Sequence, residues 1–546
     1  MEEQVTKNNF SIFNIYITFD IYFMRTCIFF LFSFLLSDIQ FVQAQSISPH
    51  QIDSLVSATM DAMPLAGIAV AVVKDGRVVH SKGYGVTAVD DPSSVDDHTV
   101  FAIASNSKAF TSAALAILVD DGRLKWTDKV VDHIPEFRMY DPYVTANFNI
   151  QDLLTHRSGL GLGAGDLMFF PDGADFTIDD VLKSFQYQEP VSAFRTRYDY
   201  DNLLYLVAGE VVARVSGISW AEFVKTRIME PLGMDDSAPV YQQLEDRSNV
   251  AMPHDVQGNE LIQLETYTKP NASLGAAGGI YASVHDLSRW MRMHLNRGML
   301  EEESADRILS EASYAELWRP HTNVDFYLVP DGPYGSHFLA YGLGWVIRDR
   351  AGMVCVEHTG GLPGMLSRTI LVPELDLGIV VLPNTAPGGY AFQSISQTIL
   401  DAYLGVKGQD WIGTSVRQIR EMEAEADSVT THVWKTVEDH KSVDIDRSKY
   451  IGKYRDDWFG KIKIHEQNGE LWFTSLRSPK LNGPMAYYKG NTFAIRWEYQ
   501  DMNCDAFANF VLDTEGRAMK IKMEGISPTI DFSFDFHDLD LERVPE

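Results

Sequence analysis

The chain has 546 residues, 45% of them hydrophobic, and a formal net charge of −29 at pH 7. That length and apolar content suffice for two or three cored domains. So acidic a balance excludes nucleic acid or an anionic membrane as the main partner, because both are polyanions. The three cysteines, Cys27, Cys355 and Cys504, make no disulfide framework, and the last two read as core filler.

Residues 1–44 read as a leader. Met24-Arg25 precedes an apolar stretch from Cys27 to Leu36, and Val42-Gln43-Ala44 offers small residues for cleavage. Glu2 and Glu3 put acid where a signal peptide needs base, so translation is expected to start at Met24. A membrane anchor from Ile12 to Leu36 is disfavoured, since Asp20 and Arg25 interrupt it. The expectation is a cleaved, exported protein, periplasmic or secreted, with no stable membrane anchor.

Next comes a helical spacing at Ile52, Leu55, Val56 and Met60, stopped by Pro64. The apolar run AGIAVAVV (Ala66 to Val73) meets the hairpin signal Asp75-Gly76 and is followed by RVVHSKGY. From Ala102 to Leu295 the pattern is mostly helical. Strands return at MVCVEH (Met353 to His358), SRTILV (Ser367 to Val372) and LGIVVLPN (Leu377 to Asn384), and YAFQSISQTILDAYLG closes the unit as a helix near Gly405. Strands at both ends of a helical middle predict an α+β fold, an antiparallel sheet built from both termini beside a helical lobe. Residues 406–446 read as a helical connection whose acidic run at Glu421, Glu423, Glu425 and Asp427 is a solvated face. From 447 onward short strands with turns at Asn468-Gly469 and Glu515-Gly516 predict a small β-barrel or sandwich.

The strongest chemical signal is Ser105-Asn106-Ser107-Lys108. Ser105 is the only serine in the chain with lysine three residues on. The pair opens the apolar run AFTSAALAILV (Ala109 to Val119), so a helix would bring hydroxyl and amine together one turn apart. A serine hydroxyl needs an adjacent base to become a nucleophile, and a lysine in a dry pocket can lose its proton and serve. Tyr200-Asp201-Asn202 precedes the helical run LLYLVAGEVVARVSG, which Asn202 or its neighbour would cap. His358-Thr359-Gly360-Gly361 follows a strand ending at Glu357, and its glycines would let a substrate backbone come close, with Thr359 and Gly360 as binding positions.

This set resembles the serine β-lactamase and penicillin-binding protein superfamily, in its class C-like branch. The similarity extends over residues 50–405 through FAIASNSKAFTSAALAILVDDGRL, DLLTHRSGLG, FRTRYDYDNLLYLVAGEVVARVSG, AAGGIYASVHDLSRW, YGLGW and HTGGLPGM. The stretch opening YIGKY resembles the lipocalin-like accessory domain of some of these hydrolases, D-amino-acid peptidases among them. The resemblance implies that Ser105 is the nucleophile and that Lys108, or Tyr200 held as a phenolate, is the base. Tyr200 would pass a proton to the leaving group, and Asn202 would bond Lys108 and the substrate amide. Backbone N–H groups of Ser105 and Gly361 would form the oxyanion hole, with no metal or cofactor. The implied substrate is a small peptide or an ester, and homo-oligomers are a possibility within the family.

His358 is a departure, since antibiotic-binding members usually carry lysine there. A histidine, mostly neutral at pH 7, lowers the expectation of efficient β-lactam hydrolysis. Were His358 needed as a cation, kcat/KM would fall as pH rises through its pKa. The expected activity is therefore a peptidase, with esterase or weak β-lactamase as alternatives, and an acylated sensor or scaffold as the non-catalytic one. An α/β-hydrolase is disfavoured by the lack of G-x-S-x-G, and a zinc enzyme by fifteen histidines with no pair three to five residues apart. His156, in DLLTHRSGLG, reads as structural.

Overall fold

A computed structural model describes residues 47–258, 260–266, 275–300, 306–324 and 332–545. The leader, the start at Met24 and Cys27 lie outside the described residues.

Ser48 opens the first helix, Pro49–Ala62, with a capping box in which its hydroxyl and the Gln51 side chain each take the other residue's backbone N–H. The run after it becomes the strand Gly67–Lys74, which turns at Asp75-Gly76 into Arg77–Gly85. Both turn residues have positive φ, 52° and 68°, as the tightest hairpins require. These two strands join six late ones in one antiparallel sheet. Its order is Arg77–Gly85, Gly67–Lys74, Leu377–Pro383, Met365–Val372, Met353–Leu362, Val346–Arg350, Leu339–Tyr341, Thr322–Asn323.

Period-two alternation gives this sheet two cores. Ile68, Val70, Val72, Ile379 and Val381 face the helices Pro49–Ala62 and Gly388–Leu404. Ala69, Ala71, Val73, Val380 and Leu382 face the helical lobe, where Phe110 stacks on Trp290 at 3.9 Å. A strand covered on both sides reads as an unbroken apolar run, which is why Gly67–Lys74 shows no alternation in its sequence.

The strand expected to end near His358 continues to Leu362. Its pairing with Met365–Val372 runs on through His358↔Thr369, Gly360↔Ser367 and Leu362↔Met365, and the turn comes only at Pro363-Gly364. On its other side the partner Val346–Arg350 stops opposite Glu357. From His358 onward that edge is therefore open, and the nucleophile turn packs against this end of the strand.

The helix Trp411–Asp439 connects the two units. Ile412, Val416 and Ile419 pack with Met63 and Leu65 of the first unit, while Val433, Trp434 and Val437 pack on Ala494 and Ile526 of the second unit. Glu421, Glu423 and Glu425 between these contacts are exposed. The second unit is a closed eight-stranded barrel from Gly452–Asp456 to Leu541–Arg543, all its neighbouring strands antiparallel. One apolar cluster runs through both units, with Phe170 against Phe534 and Phe176 against Phe459. Arg477 adds ion pairs to Asp175 (2.6 Å) and Asp180 (2.8 Å).

A charged knot stands just before the site. Glu357 accepts from both terminal nitrogens of Arg350 (2.8 and 3.1 Å) and from Arg368 (2.9 Å), and all three residues are buried. The two guanidiniums hold the Glu357 carboxyl well below the usual range, against the opposing effect of burial. Glu357→Ala would leave two buried cations uncompensated, at an expected cost of about 3–5 kcal/mol. Urea denaturation measures this, and a loss below about 1 kcal/mol would show that the knot does not hold the sheet.

Candidate active site

The nucleophile lies in a tight turn just before its helix. Ala104–Asn106 form a single 3₁₀ turn, and the α-helix proper is Ser107–Asp120. Ala104 takes φ +46°, a conformation uncommon for a residue with a side chain. Three polar ties fix the turn. The Asn106 amide donates to Ser367 Oγ (2.7 Å), Ser367 Oγ donates to the Ile103 carbonyl (2.6 Å), and Ser107 Oγ accepts from the Ile280 N–H (3.1 Å). Ser107 is thus a tether as well as a packing residue. Gly360 faces this turn. A Cβ there would lie 2.3 Å from the Ile103 carbonyl and 2.9 Å from Ser105 N. The glycine expected to admit substrate instead admits the nucleophile's own backbone.

Lys108 is fully buried. Its Nζ lies 2.6 Å from Asn202 Oδ1, 2.9 Å from the Ala277 carbonyl and 3.1 Å from Ser105 Oγ. The first two are acceptors only. A neutral amine spends its two N–H groups on them, and its lone pair then points along the third direction, toward the serine hydroxyl. Burial pushes the Lys108 pKa down to about 7, with Asp166 and Asp201 acting the other way.

Tyr200 is held by rings. His156 lies under it at 4.2 Å, Phe532 meets it edge-on at 5.9 Å, and Lys108 Nζ is 4.8 Å from its centroid. Burial drives its phenol well above the ordinary range, the Ser105 hydroxyl being the one group nearby that eases this. The tyrosine is therefore neutral across the physiological range. His156, at φ +51°, accepts the Asp201 N–H on Nδ1 (3.0 Å) and so places the Tyr200–Asn202 loop.

Asn202 stands at the N-terminus of the helix Leu203–Ser216 without capping it, and its neighbour Asp201 accepts the Leu204 N–H instead. The Asn202 carboxamide is engaged at both ends, its oxygen by Lys108 and its nitrogen by Asp166 Oδ2 (2.8 Å). One N–H is left, enough for the bond to the substrate amide that the resemblance implies.

His358 agrees with the mostly neutral imidazole expected at pH 7. It is buried, with Nδ1 donating to the Thr359 carbonyl (2.6 Å) and Nε2 accepting from the Tyr341 hydroxyl (2.9 Å). Burial, with Lys108 nearby, lowers its pKa to about 4. It is a neutral wall residue at pH 7, and no pH limb near neutrality belongs to it.

Ser105, Tyr200, Asn202, His358, Thr359, Gly360 and Gly361 all line one cavity of about 380 Å³; Lys108 lies behind its wall. Phe169, Phe170, Tyr198, Tyr341, Leu362 and Phe532 supply the large apolar and aromatic side chains among the rest. Phe169 and Phe170 come from the loop MFFPDG (Met168 to Gly173). Sequence reading gave Tyr341 no role although it opens the segment YGLGW, and it missed Asp166 and the barrel residues Asp531, Phe532 and Ser533, which no local pattern marks. It also missed a cluster outside this cavity. Asp97, His98 and His285 gather possible metal-ligand atoms within 4.8 Å, from segments too distant for spacing to reveal. His98 is already bonded to Asp236 (2.8 Å), and the Arg289 guanidinium lies 3.3 Å from His285, which disfavours a cation.

Comparison with known proteins agrees with this geometry. The family model described as Beta-lactamase matches residues 52–403, and a domain of unknown function (DUF3471) matches 446–543. An unguisins hydrolase of Aspergillus campestris is 28% identical over 380 residues, 65% of this chain and 66% of that protein. Protein flp of Staphylococcus aureus is 26% identical over 342 residues, 62% of this chain and 63% of that protein. The chain thus spans just under two thirds of the length of these relatives. The octameric penicillin-binding protein homologue from Pyrococcus abyssi shares the fold, with TM-score 0.59 and 20% identity over 91% of this chain and 100% of that one. The chain belongs to the Beta-lactamase family of serine hydrolases, on the penicillin-binding-protein fold.

Proposed function

We propose that the protein is a peptidase that cleaves amide bonds of small, apolar, uncharged substrates through an acyl-enzyme on Ser105. The observation that carries this is the buried Lys108 amine, 3.1 Å from Ser105 Oγ and with its two other neighbours both acceptors. Lys108, uncharged, takes the Ser105 proton as Oγ attacks the carbonyl. Of the two candidate bases it is the better supported, because burial disfavours the Tyr200 phenolate. Tyr200, neutral and beside Ser105, relays the proton to the leaving amine, and the same groups then activate the water that deacylates. Backbone N–H groups of Ser105 and Gly361 stabilise the oxyanion, each donor being worth about 3–4 kcal/mol.

The cavity supports the substrate class. Its described lining is aromatic and aliphatic around the reacting groups, and it includes no arginine or lysine. With His358 neutral, a substrate carboxylate finds no permanent cation there, which disfavours β-lactams. The relative that hydrolyses unguisins shows that this family reaches beyond β-lactams. Esters share the acylation chemistry and are secondary substrates in this reading. The leader-like residues 24–44 support export, and the octameric relative makes self-association worth testing by light scattering.

N-acetylated aminoacyl amides and aryl esters with apolar acyl groups should exceed a carboxylate-bearing cephalosporin in kcat/KM by about tenfold or more, the worth of one missing charged hydrogen bond. Comparable rates on the cephalosporin would contradict the substrate class, and turnover persisting in Ser105→Ala would contradict the mechanism.

The pH dependence follows from Lys108. Its pKa is lowered, so the active neutral form accumulates as pH rises, and kcat/KM should climb through a midpoint near 7 and then level. A midpoint near 10, the value of an ordinary lysine, would mean that Lys108 is not the base.

A further inference from the structure

The barrel reaches the catalytic amine through a continuous set of buried hydrogen bonds. After its strand Ala518–Gly525 the chain runs into the segment Asp531–Asp535, which lies against the hydrolase unit. Asp535, with no exposed surface, accepts the backbone N–H groups of Gly165 (2.7 Å) and Leu167 (3.0 Å), on either side of Asp166. Ser533 Oγ donates to Asp166 Oδ2 (2.8 Å), the same oxygen that accepts from the Asn202 amide (2.8 Å). Asn202 Oδ1 then accepts from Lys108 Nζ (2.6 Å), and Nζ faces Ser105. Ser533 and Asp166 lie more than three hundred residues apart in the sequence.

Gly165 takes φ +80°, and a Cβ there would come within 2.4 Å of Leu203 and 2.6 Å of Gln188, so the Asp166 turn has one seat. Asp166 is itself fully buried. We propose that Ser533 and Asp535 of the barrel are positioning residues for catalysis, fixing Asp166 so that it orients Asn202 and, through it, the Lys108 amine toward Ser105. The second unit is then a working part of the active site rather than an appended module.

The geometry has an electrostatic consequence. Facing Lys108 are Asp166 and Asp201, the rings of Tyr200 and Tyr205, and the buried imidazoles of His156 and His358. Asp166 in turn faces Asp201 and Asp535. Burial raises the Asp166 carboxyl well above its usual range, the hydrogen bonds from Asn202 and Ser533 oppose this by favouring its ionised form, and that ionised form favours the charged amine. Removing either influence moves the Lys108 titration down, not up.

The test uses the full chain and rests on the acyl-enzyme reading given above. Active sites are counted by burst titration and kcat/KM is followed from pH 5 to 9 for wild type, Ser533→Ala and Asp166→Asn. Asp166→Asn keeps an oxygen for Asn202 and Ser533 but cannot ionise, so its acid limb should move down, by at most about 1 pH unit. Ser533→Ala should move the limb the same way and lower kcat about tenfold per titrated site, with KM little changed. A wild-type limb near 7 that neither variant shifts, at unchanged kcat per site, overturns the positioning role and leaves the mechanism standing. A wild type with no Ser105-dependent turnover overturns the mechanism itself. Should Ser533→Ala fold poorly, the near-isosteric Ser533→Cys, whose thiol is a weaker donor to Asp166, takes its place with the same expected direction.

Discussion

Lys108 ends in an amine with no access to water, and the site is arranged around that fact. A buried ammonium is costly, while a buried neutral amine needs only partners for two N–H groups. Asn202 Oδ1 and the Ala277 carbonyl supply them, and the remaining lone pair meets Ser105 Oγ. The same dryness keeps Tyr200 and His358 uncharged. One physical condition, low dielectric, therefore keeps Lys108, Tyr200 and His358 uncharged together, and the surroundings that free the lysine's lone pair also penalise a charged substrate.

Keeping that pocket dry and in register takes parts from four regions of the chain. The helix Ser107–Asp120 carries the lysine, the turn before it carries Ser105, and the last residues of the strand Met353–Leu362 lie against that turn because Gly360 has no side chain. The loop before Leu203–Ser216 brings Tyr200 and Asn202, seated on His156. The barrel closes the arrangement with Phe532 over Tyr200 and Ser533 on Asp166. The buried knot of Glu357 with Arg350 and Arg368 locks the strand just upstream of His358.

What could be read in the sequence was whatever depends on local spacing. The helix after Ser105, the Asp75-Gly76 hairpin, the bridging helix and the alternating strands of the barrel all follow from periodicity and turn chemistry, and the structure has each of them. The S-x-x-K pair was legible for the same reason, since one helical turn makes the contact. Properties set by burial were not. His358 looked like a titrating group because its sequence neighbours say nothing of Tyr341 on the next strands, and Gly360 looked like a substrate-facing glycine because nothing local shows the Ile103 carbonyl opposite it. Asp166, Ser533 and Asp535 form contacts across hundreds of residues and between units, so their part in the site exists only once the chain has folded.

The account depends most on the state of one nitrogen, and that state can be observed without any substrate. Lysine labelled with ¹³C at Cε and ¹⁵N at Nζ reports amine titration by NMR, and Lys108→Arg identifies the resonance. A buried lysine among acceptors predicts a single signal titrating near pH 7, far from the bulk lysines at about 10.4. A Lys108 signal that stays protonated up to pH 10 would contradict the account, since the serine would then have no base.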